Sequence, residues 1–218
     1  MPDVGLYEAQ STCRAVRRLR PDPIPDEVLR RVLTAATWAP SGGNTQPWRI
    51  VAVRDPSRRR ALRDLYEPLW QRYAKTYRAA TGELEGEAAV RRDRMIAAAD
   101  HLARHFDRSP VVAVFCFRPD LLAITDAKLG RPSVVGGASI YPAVQNLLLA
   151  CRAEGLGCVL TTLLCQAEPE VKTLLEIPDP WATAAHVPIG WPEGRGHGPL
   201  SRRPVERMVF LDRFGGAL

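Results

Sequence analysis

Lysine is almost missing from these 218 residues, three against 27 Arg, so the formal charge of +6 rests on guanidinium groups spread along the chain. No Lys/Arg-rich tail or basic patch on a reading element occurs, which argues against a nucleic-acid role. Alongside abundant Ala, Gly and Pro, the Arg excess reads as the imprint of a GC-rich coding sequence. Cysteine is scarce: five residues, at 13, 116, 151, 158 and 165, with no Cys-x-x-Cys pair. An odd count without a pairing pattern excludes a disulfide framework. No apolar run approaches the about 18 residues of a membrane span. Val111–Phe117 and Leu147–Cys151, the longest candidates, suit a buried strand and a core helix. Met1–Gln10 has no basic stretch leading into an apolar core, so no secretory signal is expected and a cytoplasmic location is. Gly-x-Ser-x-Gly, the Walker A loop and Gly-x-Gly-x-x-Gly are all missing, which leaves elbow hydrolases and P-loop enzymes without support. His101 and His105 stand four apart on a helix, but Leu102 occupies the place where a zinc-protease helix needs Glu, so the pair reads as a solvated helical face.

What is present is a globular chain, 46% hydrophobic and 25% charged, long enough to bury its own core and expected as one domain over residues 1–218. Pro25-Asp26-Glu27 opens a helix whose apolar stripe is Val28, Leu29, Val32, Leu33, Ala36 and Ala39. Trp48–Val53 is β-rich, and Ser57 to about Phe106 is helical with a break near Thr81-Gly82. Val111–Phe117 reads as a central strand. Residues 126–137 read as an irregular loop, and Ser139 as the cap of an apolar helix that stops at Gly155. Leu156–Thr162 and Ala184–Ile189 read as strands, Pro169–Leu175 as a short helix, and the apolar Val205–Leu211 as a further strand. Interleaved helices and strands place the chain in the α/β or α+β class.

Three segments carry binding chemistry. Arg14, Arg17, Arg18 and Arg20 fall within seven residues before the Pro21–Pro25 turn, where guanidiniums can converge on a phosphate or remain a solvated basic segment. In Ala39–Trp48, Gly42 and Gly43 permit close backbone approach, while Ser41, Asn44 and Gln46 offer neutral donors and acceptors to a heteroaromatic edge. Ser201-Arg202-Arg203-Pro204 offers a second anion clamp. Tyr66, Trp70, Tyr73 and Tyr77 share one helical face, as a packing stripe or as a platform for a flat ligand.

These segments resemble the FMN-dependent nitroreductase family. Arg14–Arg18 is similar to its N-terminal Arg-rich segment and Ala39–Trp48 to its signature loop. Gly137–Gly157 is similar to its central dimer helix, and Ile189–Pro192 and Arg202–Glu206 to its closing elements. The resemblance runs from about Ser11 to Leu211. It implies an α+β fold, a mostly antiparallel sheet flanked by helices, and a homodimer that exchanges a C-terminal strand. It also implies FMN as cofactor, NAD(P)H as electron donor, and a small aromatic acceptor such as a nitroaromatic or quinone reduced in ping-pong fashion through flavin N5. By matching position, Arg14 and Arg202 take the FMN phosphate, and Ala15 and Arg17 lie near the phosphate and flavin pyrimidine. Ser41, Gly42 and Asn44 reach the flavin of the neighbouring chain, and Thr161, Thr162 and Leu163 lie against the flavin ring. No side-chain acid or base and no metal is required. Cys13 stands where many members have Arg, Ala15 where they have Ser, and Trp191 where Tyr is usual, so one phosphate contact is lost and Arg18 or Arg203 is expected to compensate. The same family includes flavin-consuming synthases of a cobalamin precursor and dehalogenases. A non-catalytic flavin-binding protein is a further alternative.

Overall fold

The computed structural model describes residues 4–82 and 84–218. In chain order its elements are α1 (Leu6–Thr12), β1 (Leu19–Arg20), α2 (Asp26–Thr37), β2 (Trp48–Val53), α3 (Pro56–Thr81) and α4 (Gly86–Arg104). There follow β3 (Val111–Phe117), α5 (Tyr141–Ala153), β4 (Gly157–Cys158), α6 (Glu168–Leu175) and β5 (Ala182–Pro192). Every strand pairing is antiparallel, in the order β1-β5-β3-β2, with β4 also on β5. The fold is α+β, as expected.

The centre of the sheet follows from the run Val111–Phe117, which is apolar at every position and must be covered on both faces. Alternate residues of β3 serve two cores. Val111, Ala113 and Phe115 join Ala185, Val187 and Ile189 of β5 under α2 and α5. Val112, Val114 and Cys116 face the other way, against Leu62, Tyr66, Leu69 and Trp70 of α3, Leu102 of α4 and Val171 of α6. Each large side chain so buried contributes about 1.5–3 kcal/mol. The α2 stripe is buried as its spacing predicts, with Val32 and Ala36 fully enclosed.

Four expectations need correction. Ser139 does not cap α5, which begins two residues later after Ile140; the Ser139 hydroxyl instead accepts a hydrogen bond from Gly42 N at 3.0 Å. The stretch read as a strand at Leu156–Thr162 ladders only at Gly157 and Cys158. Thr161 then bridges His186 in the same register, so the segment tracks β5 before turning into a 3₁₀ helix at Leu163–Ala167. Val205–Leu211 is not a strand. It forms a 3₁₀ turn at Val205–Arg207 and then runs exposed, because strand backbone needs a neighbour to pair with and this chain places none beside it. The His101 and His105 rings are half-buried and stack at 4.3 Å, so they are not a solvated face. Among the described residues, no helix is long and apolar enough to cross a membrane, and no group of three or more metal-ligating side chains converges.

Candidate functional site

Pairing of an early and a late segment around β4 builds the site. After α1 the chain is extended, and Val16 N donates to Cys158 O at 2.9 Å beside the Ala15–Cys158 parallel bridge. From the other end, Gly198 N donates to Thr12 O and Leu200 N to Ser11 O, both at 3.2 Å. His197 ties the two: its Nε2–H donates to Leu156 O at 2.8 Å, and its Nδ1 accepts from Arg14 N at 3.4 Å. That pattern requires the neutral ring, and burial holds the His197 pKa below its ordinary value. Sequence reading passed over His197, because a lone His in a Gly-rich loop carries no pattern.

The result is a cavity of about 300 Å³ lined by Arg14, Ala15, Arg17 and Arg202, with Gln10, Cys13, Gln145 and Cys158 among its other walls. Among the described residues, no carboxylate lines it. Three guanidiniums lining one cavity, with no counter-charge among the described residues, are groups suited to an anion. The Cys13 and Cys158 thiols both donate to Leu148 O, at 3.6 and 3.8 Å. Contact with Cys158 and burial push the Cys13 thiol up; the same contact pulls Cys158 down, but Cys151 and burial outweigh it and leave that thiol raised as well. Arg18 does not compensate for Cys13: its guanidinium donates to His101 Nδ1 at 3.1 Å and lines neither this cavity nor the next.

A second cavity, also about 300 Å³, shares Arg17, Val159 and Leu160 with the first. Thr161, Thr162 and Leu163 line it together with Tyr66, Trp70, Tyr73 and Tyr77, and Met95 is among its other walls. Thr161 is held by a reciprocal pair of backbone bonds with His186, and its hydroxyl accepts from Leu163 N at 3.3 Å. The aromatic stripe is therefore partly core and partly cavity wall. Tyr66 and Trp70 are core residues whose edges reach the cavity, while Tyr73 is 48% exposed. Burial lowers the Arg17 pKa and raises that of Tyr66, and the charge of Arg17 opposes the latter.

The loop Ser41–Asn44 stands apart. Ser41, Gly42 and Asn44 line neither cavity of this chain. The loop is held by Gln46 N on Ser41 Oγ at 2.9 Å, and Gly43, Asn44 and Gln46 all have left-handed backbone, with φ of 58°, 53° and 45°. For Asn and Gln that conformation is costly, and such strain collects at ligand-contacting loops.

Gly157 holds the wall of the first cavity together. A Cβ there would lie 2.7 Å from Val16 Cγ1 and 2.8 Å from Leu19 Cδ2. Gly157→Ala is expected to push the Arg14–Arg17 segment off β4, at a cost of about 1–3 kcal/mol. Thermal melting should read this as a drop of about 2–4 °C per kcal/mol; an unchanged Tm would show that the segment has slack.

Comparison with known proteins places this arrangement. A family model, Nitroreductase family, matches residues 12–191. The chain is similar to an NADH dehydrogenase of Thermus thermophilus, 34% identical over 96% of this chain and 97% of that protein. It is equally similar, at 34% identity over 92% and 86%, to a 5,6-dimethylbenzimidazole synthase of Rhodospirillum rubrum. Its fold matches a nitroreductase with bound FMN from Desulfitobacterium hafniense, with a TM-score of 0.68 and 16% identity over 97% of this chain and 100% of that one.

Proposed function

Since the chain belongs to the nitroreductase family, we propose that it is an FMN-dependent oxidoreductase that passes a hydride from NAD(P)H to a small electron-poor aromatic such as a nitroaromatic or quinone. The observation that carries this reading is the shared wall at Arg17. On one side lies an acid-free pocket with Arg14 and Arg202, and on the other lie Thr161–Leu163 and the aromatic stripe. A flat ring system ending in a phosphate fits that sequence of surroundings. Arg14 and Arg202 would hold the phosphate, Arg17 the pyrimidine edge, and Thr161, Thr162 and Leu163 the ring. When bound, FMN would supply the two-electron chemistry. Arg17 places a fixed positive charge where negative charge develops on reduction. The protein's other task is to admit donor and acceptor in turn to one open face, which gives ping-pong kinetics.

The active unit in this reading is a homodimer. Trp38, Met208, Leu211 and Phe214 are 76%, 62%, 52% and 93% exposed, a large apolar area for a lone chain. A second copy would cover the tail, pair the segment around Val205–Leu211, and bring Ser41, Gly42 and Asn44 to the neighbouring cavity. The equal similarity to a synthase supports a second reading, in which the flavin is consumed and not recycled.

The absorption spectrum of the purified protein, chromophore release, and anaerobic titration with NADH and NADPH test the proposal. FMN bound and reduced is the expected result. FAD, or no flavin after reconstitution, overturns it. Loss of flavin during aerobic turnover, with a benzimidazole product, selects the second reading. A monomeric mass by sedimentation with FMN retained would remove the dimer.

A further inference from the structure

Asp100 does not line the second cavity but bonds to a residue that does, Trp70. It sits on α4, and its Oδ1 accepts from the indole Nε1–H of Trp70 at 2.6 Å. Its Oδ2 lies 3.5 Å from Arg78. Trp70 and Arg78 are two helical turns apart on α3, so one carboxylate grips that helix at two points. Between them runs a ladder of rings: Trp70 and Tyr73 centroids are 5.8 Å apart, and Tyr73 and Tyr77 stack at 6.2 Å with 21° between planes.

We propose that Asp100 is a positioning residue for the aromatic acceptor, setting the plane of Trp70 and, through it, the ring ladder that the acceptor stacks on. The inference rests on reading this cavity as the acceptor site. Helix packing does not need Asp100, because Leu62, Leu69 and Ala74 of α3 and Ile96, Ala99 and Leu102 of α4 are already buried. The indole does need it. A buried N–H without an acceptor is costly, and a ring free of that bond can turn in its pocket.

The test uses the FMN-loaded protein and benzoate, a flat aromatic that the flavin does not reduce, with binding read from the flavin spectrum. Asp100→Leu is expected to raise the benzoate Kd about fivefold or more in the wild-type background and less than about twofold in Trp70→Phe. Asp100→Asn, which still accepts from the indole, should bind benzoate nearly as wild type does. Equal effects of Asp100→Leu in both backgrounds would overturn the inference, as would a wild-type protein that does not bind benzoate at millimolar concentration. Should Asp100→Leu fail to fold, Trp70→Phe alone decides, since it keeps a flat ring without the donor; a wild-type Kd there refutes the role. Benzoate binding with this pattern but no reduction by NADH or NADPH would sink the proposed activity and leave the positioning role standing.

Discussion

Arg17→Met moves two quantities in opposite directions. FMN affinity is expected to fall by about 10- to 100-fold, the worth of a charge-assisted contact of roughly 1.5–3 kcal/mol. The flavin-free protein is expected to melt higher. The guanidinium is half-buried and pairs with no carboxylate among the described residues, so folding alone bears its desolvation. A residue that costs stability in the empty protein and returns it only with ligand present is the signature of a binding group. FMN that remains bound to the variant should have a more negative midpoint potential. Arg17→Lys should restore part of the potential, and less of the affinity, because ammonium cannot reproduce a planar fork. If Tm falls together with affinity, Arg17 is a structural residue and the shared wall loses its meaning.

Acid is expected to weaken the fold through His186. This side chain on β5 is wholly enclosed, neither ring nitrogen has a partner, and burial pushes its pKa down to about 4. In the unfolded chain it titrates near 6.5. Between those values the unfolded state binds the extra proton, so stability is complete above about pH 6.5 and is lost as pH falls toward 4. A displacement of about 2.5 units amounts to about 3 kcal/mol. His186→Leu should remove that share of the slope while keeping neutral-pH stability, since it deletes two orphaned nitrogens. Urea unfolding of both proteins from pH 4 to pH 7 reads the difference; parallel curves would assign the acid sensitivity to other groups.

The parts of the molecule that show in the sequence are those whose pattern is local. Val111–Phe117 and the α2 stripe state their burial residue by residue, and both stand where their periodicity puts them. The break at Gly82 shows because Gly alone adopts its φ of 59° freely. Leu19–Arg20 is a two-residue strand, too short for any alternation, and exists only because Pro192 and Trp191 lie opposite. The tail at Val205–Leu211 has strand character and no strand, since character without a neighbour does not pair. The candidate site divides the same way. Arg14, Arg17, Arg202 and Thr161–Leu163 are found by motif and stand together around two joined cavities. Ser41, Gly42 and Asn44 share the motif quality but not the location. Gly157 shows as part of a motif but its packing against Val16 and Leu19 does not, and the roles of His197 and Asp100 do not show at all, because each acts on a residue far along the chain.

The closure of the first cavity by both ends of the chain also governs when it can exist. Arg14–Arg17 leave the ribosome early, yet their backbone partner Cys158, the His197 tie and Arg202 follow much later. A nascent chain therefore carries its Arg-rich segment unpartnered through most of translation, and no ligand of this cavity can template folding during synthesis. Capture must wait until Arg202 has been made.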